Sequence, residues 1–247
     1  MRSGYQTGTE AVRLAEESGD TYSKAPAYAS SGIACCIKGY LDKAEGHLLK
    51  GSDFCDRINF FSWAASANQF LGQLYFHKGE YQKSQDFYSK AVAVLKRGGI
   101  APSYLNLCRM GLARAMVMSN EKDVDLKDIL ESYHENRNKS LGGLMAGCIA
   151  EILLNIDDRH MDEAEEWVNK AIGVNNNNGT MWERGKSHAL YAELLKRKGD
   201  LPGAKENLNK AIEIYQECSA EGWLKKAQQD LADLQKPGRK RTQKAKT

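Results

Sequence analysis

The chain has 247 residues, of which 42% are hydrophobic and 27% charged, with a formal net charge of +3. That composition excludes a low-complexity or collagen-like polymer and leaves a globular chain long enough for a substantial core. The charge is uneven: six basic residues and no acidic one lie in Lys236–Thr247, so the body is mildly acidic and gives no general reason to expect nucleic-acid binding.

Only four prolines occur, which favours long helices over short strands joined by turns. The N-terminal residues lack an apolar signal core, and no window is read as approaching a membrane span, so the expectation is a cytoplasmic protein without a membrane partner. Six cysteines (Cys35, Cys36, Cys55, Cys108, Cys148 and Cys218) form no C-x-x-C pair and read as small buried hydrophobes.

In chain order, residues 1–23 contain a helix over about 8–18 that reads as the second half of an incomplete unit. Residues 24–217 then carry a spacing of 40. Gly39, Gly79 and Gly199 are in register, as are Leu41, Tyr81, Met161 and Leu201. So are two small-residue columns, Ala44, Ser84, Ala164 and Ala204, then Gly51, Ala91, Ala171 and Ala211, with Leu48, Tyr88, Val168 or Leu208 between them. Small residues seven apart lie on one helix face and admit a close neighbour, while the larger residue fills the gap. Five helix pairs are expected, near 24–57, 62–97, 103–137, 142–174 and 181–217. The third loses its small column around Asn120–Leu126, so its second helix should begin near Asp125 and use Ile129, Leu130 and Tyr133 as core. The fourth has two extra turn residues within Asn155–His160. Residues 218–235 read as a closing amphipathic helix, and 236–247 as a basic disordered tail.

The segment Leu71-Gly-Gln-Leu-Tyr75, followed by Lys78-Gly-Glu-Tyr81, resembles the tetratricopeptide repeat, a helix–turn–helix unit of about 34 residues. The resemblance implies an all-α fold, a right-handed superhelical solenoid of helix hairpins, acting as a protein-binding scaffold. Several stretches are more specifically similar to the C-terminal repeat region of bacterial cyclase- or kinase-linked AAA-type signalling ATPases. Among them are Glu10–Asp20, Ala150–Asp158, Ala189–Asp200 and Ala211–Trp223. That similarity implies a sensory or regulatory module whose partners include the catalytic domains of a larger protein. A start in mid-repeat is read as a fragment or a shortened relative, and the half-unit's apolar face as a site for a homo-oligomer contact.

In such arrays the first helices of the units line the concave side. Partner-facing positions are then Ile33, Cys36 and Ile37 in the first unit, and Gln69, Gln73, Phe76 and His77 in the second. Leu112 and Met116 follow, then Glu151 and Asn155, then Glu193, Lys196 and Arg197. Apolar Ala29 and Ile33 stand where chaperone-binding relatives place a carboxylate clamp, which argues against that ligand.

No catalytic, cofactor-binding or metal-binding constellation is read, and an enzyme is not expected. The five histidines are not spaced i, i+4, and no activated-nucleophile motif occurs. Gly179–Ser187 approximates a phosphate-binding loop, but five residues rather than four precede Gly185-Lys186-Ser187, and an Asn run replaces the required strand. It reads as a loop opening a helix. The alternative function is binding of nucleic acid or an acidic surface through the basic tail.

Overall fold

The computed structural model describes residues 4–121 and 123–236. Among these the chain is all-helical, a solenoid of twelve α-helices. A leading helix α1 (Gly4–Ser18) precedes the hairpin α2 (Thr21–Lys38) and α3 (Leu41–Arg57). The hairpins α4 (Phe61–His77) with α5 (Tyr81–Gly98), and α6 (Pro102–Met118) with α7 (Leu126–His134), come next. Then follow α8 (Gly142–Ile156) with α9 (Met161–Asn177), and α10 (Met181–Lys198) with α11 (Leu201–Glu217). The last helix is α12 (Glu221–Leu234).

The turns share one backbone device. Left-handed residues recur at Gly19, Gly39, Asn59, Gly79, Gly99, Asn120, Gly179, Gly199 and Ser219, mostly 20 residues apart. At Gly39 (φ 77°) its own N–H donates to the Cys36 carbonyl, and the Tyr40 N–H donates to the Cys35 carbonyl, closing the helix end. A helix of 17 or 18 residues plus a two- or three-residue turn makes the 20-residue step, so connections within and between hairpins are alike except on either side of α7 and before α9.

The small-residue columns are packing columns. Ala44, Ser84, Ala164 and Ala204 are fully buried, as are Ala91, Ala171 and Ala211. Between hairpin partners the approach is so close that a Cβ on Gly72 would sit 2.8 Å from the Tyr88 ring, and one on Gly32 2.6 Å from Leu48. Any side chain there forces the pair apart.

Hairpin three departs from the others. Its second helix α7 has nine residues, capped by Asp125, whose carboxylate accepts from the Lys127 and Asp128 N–H groups. Ile129 is buried, Leu130 and Tyr133 pack partly, and Tyr133 meets Trp167 edge-on at 4.8 Å. In hairpin four, a 3₁₀ turn at Asp158–His160 takes up the extra residues before α9.

One sequence expectation is corrected. The 18 residues Lys139–Ile156 reach the length and apolarity of a membrane span, with a mean hydropathy of 1.3. Half of that window is buried in the protein, and α8 supplies Met145, Ile149, Ile152 and Leu153 to the largest core cluster. Both faces of α8 pack, against α6 and α10 as well as α9, which is why it reads as nearly continuous apolar sequence.

The solenoid curves until its end meets its beginning. The Trp223 indole N–H of α12 donates to the Cys36 carbonyl of α2 at 2.8 Å, and Gly222 lies directly against Gly39. The Lys38 ammonium donates to the Ser219 carbonyl and pairs with Glu221 at 3.3 Å. The corresponding lysines of later hairpins stay within neighbouring repeats: Lys78 pairs with Asp42 and Glu45 of α3, and Lys198 with Asp162 and Glu165 of α9. The last inner helix thus begins where the first inner helix ends.

Candidate functional site

That closure turns the inner face from an open groove into a half-enclosed cavity of about 380 Å³, between the C-terminal ends of α4 and α6, the faces of α8 and α10, and α12. The volume falls in the range of small-molecule pockets. Its charged and imidazole groups come from five helices: His77 of α4, Arg114 of α6, Glu151 of α8, Glu183, Lys186, Glu193 and Lys196 of α10, and Lys226, Asp230 and Asp233 of α12.

Arg114 sits at the centre. It is 3% exposed on α6, with its guanidinium 3.8 Å from the Phe76 ring centroid. Nη1 donates to Glu151 at 2.9 Å and Nη2 to the Tyr88 hydroxyl at 3.2 Å, while the buried Nε–H has no partner. Burial alone would lower its pKa, yet Tyr88 and Glu151 hold it above the ordinary arginine value, so the charge persists. Lys186 donates to Glu183 at 3.1 Å and lies 4.6 Å from the Trp182 ring centroid.

His77 lines the same cavity, edge-on to Trp223 at 4.7 Å, and its buried Nε2 is also unpartnered. Burial, then the cations of Lys186, Arg114 and Lys226, push its pKa well below the usual histidine value and keep it neutral. Nearby Cys148 has its pKa raised by burial, and the Cys36 thiol is pushed up to about 12 by the same cause. Both are protonated at neutral pH and poor nucleophiles. Among the described residues no group of three or more metal-ligating side chains gathers.

The sequence-derived inner positions divide into three sets. Gln69, Gln73 and Phe76 are buried rather than presented to a partner: Gln69 accepts from the Tyr104 hydroxyl at 3.1 Å, and Phe76 underlies Arg114. Cys36 is buried too, and its carbonyl is taken by Trp223. Packing against α6 takes up the α4 positions, and Trp223 of α12 covers Cys36.

A second set, His77, Glu151, Glu193 and Lys196, lines the cavity. Beside it, Asn155 donates to the Glu151 carbonyl and accepts from Arg197 Nη2 at 3.0 Å, while Arg197 also reaches the Leu154 carbonyl. The third set does not join them: Ile33, Leu112 and Met116 are half-buried in interhelical packing, and Ile37 stays exposed. Sequence reasoning missed Arg114 and Trp223, and read Lys186 only in a failed phosphate-loop pattern. A signal for Arg114 existed, as a charge among the small and apolar residues Gly111-Leu-Ala-Arg-Ala-Met116. Of the tail, residues 237–247 lie outside the described residues.

Comparison with known proteins agrees with the helical-repeat architecture. Residues 65–94 match a family model for the tetratricopeptide repeat. The match covers one hairpin region, α4 with α5. Over 87% of this chain and 89% of the other, the fold is similar to the crystal structure of BtubC (BKLC) from P. vanneervenii, with 15% identity and a TM-score of 0.52. YrrB, described as a TPR protein with an unusual peptide-binding site, aligns over 89% of this chain and 97% of its own, with 18% identity and a TM-score of 0.42. No curated protein matches the chain.

The chain is a helical-repeat protein in which one region, residues 65–94, matches the tetratricopeptide-repeat model. Its inner face is closed by its own last helix.

Proposed function

We propose that the chain is a protein-interaction scaffold, a sensory or regulatory repeat module of a bacterial signalling protein that works in the cytoplasm and binds a peptide or protein partner. The observation that carries this reading is the stack of matched hairpins, with a tetratricopeptide signature at 65–94, that displays charged side chains along α8 and α10. Glu193, Lys196 and Arg197 are accessible and lie within about one turn of α10, beside Asn155 of α8. They give a partner a charged, orienting strip rather than a hydrophobic core, suited to regulated and reversible association.

The test is capture of partners from the source cell with the native chain and with the charge-reversed pair Glu193→Lys/Lys196→Glu. The native chain should enrich a discrete partner that the variant loses, with helical content unchanged by circular dichroism. Identical partner sets from both chains would overturn the assignment of this strip. A chain that enriches nothing would overturn the scaffold reading itself.

A further inference from the structure

The helix that closes the inner face is held lightly. Of the 14 residues of α12 only Trp223 and Ala227 are buried, with Leu231 and Leu234 packed partly, whereas α8 buries ten of its 15. The clasp of α12 on α2 is short and polar. The Trp223 indole N–H donates to the Cys36 carbonyl, and the Lys38 ammonium meets Glu221 and the Ser219 carbonyl. The Tyr40 hydroxyl donates to Glu221 at 3.3 Å. Glu221 is half exposed, so solvent screens its pairs. A helix of this length with so little buried surface has low local stability.

The closed position also carries strain and unmet hydrogen bonds. Among the described residues four buried side-chain nitrogens lack a partner. Two of them, Nε2 of His77 and Nε1 of Trp182, belong to rings that meet Trp223, with centroids 4.7 and 6.2 Å away. Buried polar groups without partners disfavour the state that buries them. The hinge before α12 is Ser219, whose φ of 52° is left-handed, a conformation that glycine or asparagine takes at most other such positions. Moving α12 off the inner face lets water reach both rings and lets Ser219 relax.

We propose that α12 is an autoinhibitory strap: it swings off the inner face about Ser219 while α1 to α11 stay folded, and so opens the cavity that it walls. The closed state is the resting one, and whatever enters the inner face must displace α12. Gly222 separates this from ordinary fraying of a terminal helix. It lies against Gly39 with no side chain on either residue, and a Cβ on Gly222 would collide with the Gly39 carbonyl. Gly222→Ala therefore pushes α12 off α2 while making α12 a better helix. A fraying end is steadied by that change, whereas a strap is released by it. The inference needs no partner and does not rest on the strip along α10.

The experiment is hydrogen exchange of the full chain by NMR over a urea series, with thiol labelling beside it. In the native chain the Trp223 indole N–H and the α12 amides should exchange through an opening with a smaller urea dependence than that of the α8 amides. In Gly222→Ala they should exchange at least tenfold faster, with α8 unchanged. Cys148 lines the cavity, whereas Cys108 is buried in a separate core cluster. N-ethylmaleimide should modify Cys148 at least tenfold faster in Gly222→Ala and Cys108 at the native rate. Glu221→Gln, which loosens the clasp without a steric clash, should give the same pattern at least threefold. Equal urea dependence for α12 and α8 overturns the proposal, because α12 then leaves only when the whole chain unfolds. Slower or unchanged α12 exchange in Gly222→Ala overturns it in favour of ordinary fraying. Faster α12 exchange with unchanged labelling of Cys148 overturns the gating of the cavity, and equal acceleration of Cys148 and Cys108 marks a general loosening that overturns the strap.

Discussion

Hairpins two and three sit side by side and solve the same packing problem differently. In hairpin two, α5 runs 18 residues, places fully buried Ser84 and Ala91 in register, and drives Tyr88 against Gly72 of α4. In hairpin three, α7 is half that length, buries only Ile129 and Ser132, and lacks the small-residue column. Yet the irregular hairpin carries Arg114, the central group of the cavity, while the regular one supplies its support: Phe76 beneath the guanidinium and the Tyr88 hydroxyl on Nη2. Regularity here builds the frame, and chemistry sits next to the place where the pattern breaks.

Tyr88 joins the two hairpins, so its loss gives the largest effect. Tyr88→Ala should destabilise the chain by about 3–5 kcal/mol, as for other buried aromatics, measured by urea unfolding. A loss below 1 kcal/mol would show that the Gly72–Tyr88 contact is not what holds α4 to α5. Gly72→Ala should cost about 1–3 kcal/mol through overpacking against that ring, despite alanine's better helix propensity. The equivalent test in hairpin three is milder: Asp125→Ala removes the α7 N-cap and should cost about 1 kcal/mol. Its signature is faster amide exchange confined to residues 126–134, while α5 exchanges as before. If α5 loosens equally, the two hairpins are one cooperative unit and the contrast between them fails.

The smallest effect is electrostatic. His77 has a folded pKa well below its usual value of about 6.5, because of burial and then three nearby cations. The unfolded chain thus binds the proton more readily, and stability present above about pH 6.5 declines as pH falls toward the folded pKa. His47 and His188, also lowered first by burial, act with the same sign. The melting temperature should drop between pH 7.5 and 5.5, and His77→Gln should flatten that slope in part. An unchanged slope would place the titration elsewhere.

The period of the array was legible because Gly39, Gly79 and Gly199 all end inner helices, where φ near +80° favours glycine. The 20-residue half-period is marked as well, by Gly19, Gly99 and Gly179, and is interrupted where Asn59 and Ser219 hold the same left-handed conformation without being glycine. The expected all-helical solenoid class is what the structure has. The site was less legible. Inner positions follow from helix periodicity, but whether they stay open depends on total curvature, a sum over all repeats that no single unit encodes. Hence periodicity puts Gln69, Gln73 and Phe76 on α4 but does not reveal that they are buried, and the contact from Trp223 to Cys36, 187 residues apart, leaves no local trace.

That last contact changes how the array should unfold. An open solenoid behaves as a one-dimensional chain with free boundaries, whose terminal units fray first and whose length tolerates added or deleted repeats. Joining α12 to α2 gives this chain something close to a periodic boundary: each end is a neighbour of the other. Fraying at one end then costs contacts at both, and inserting a forty-residue unit would rotate Trp223 away from Cys36. The number of repeats becomes a quantity the fold counts.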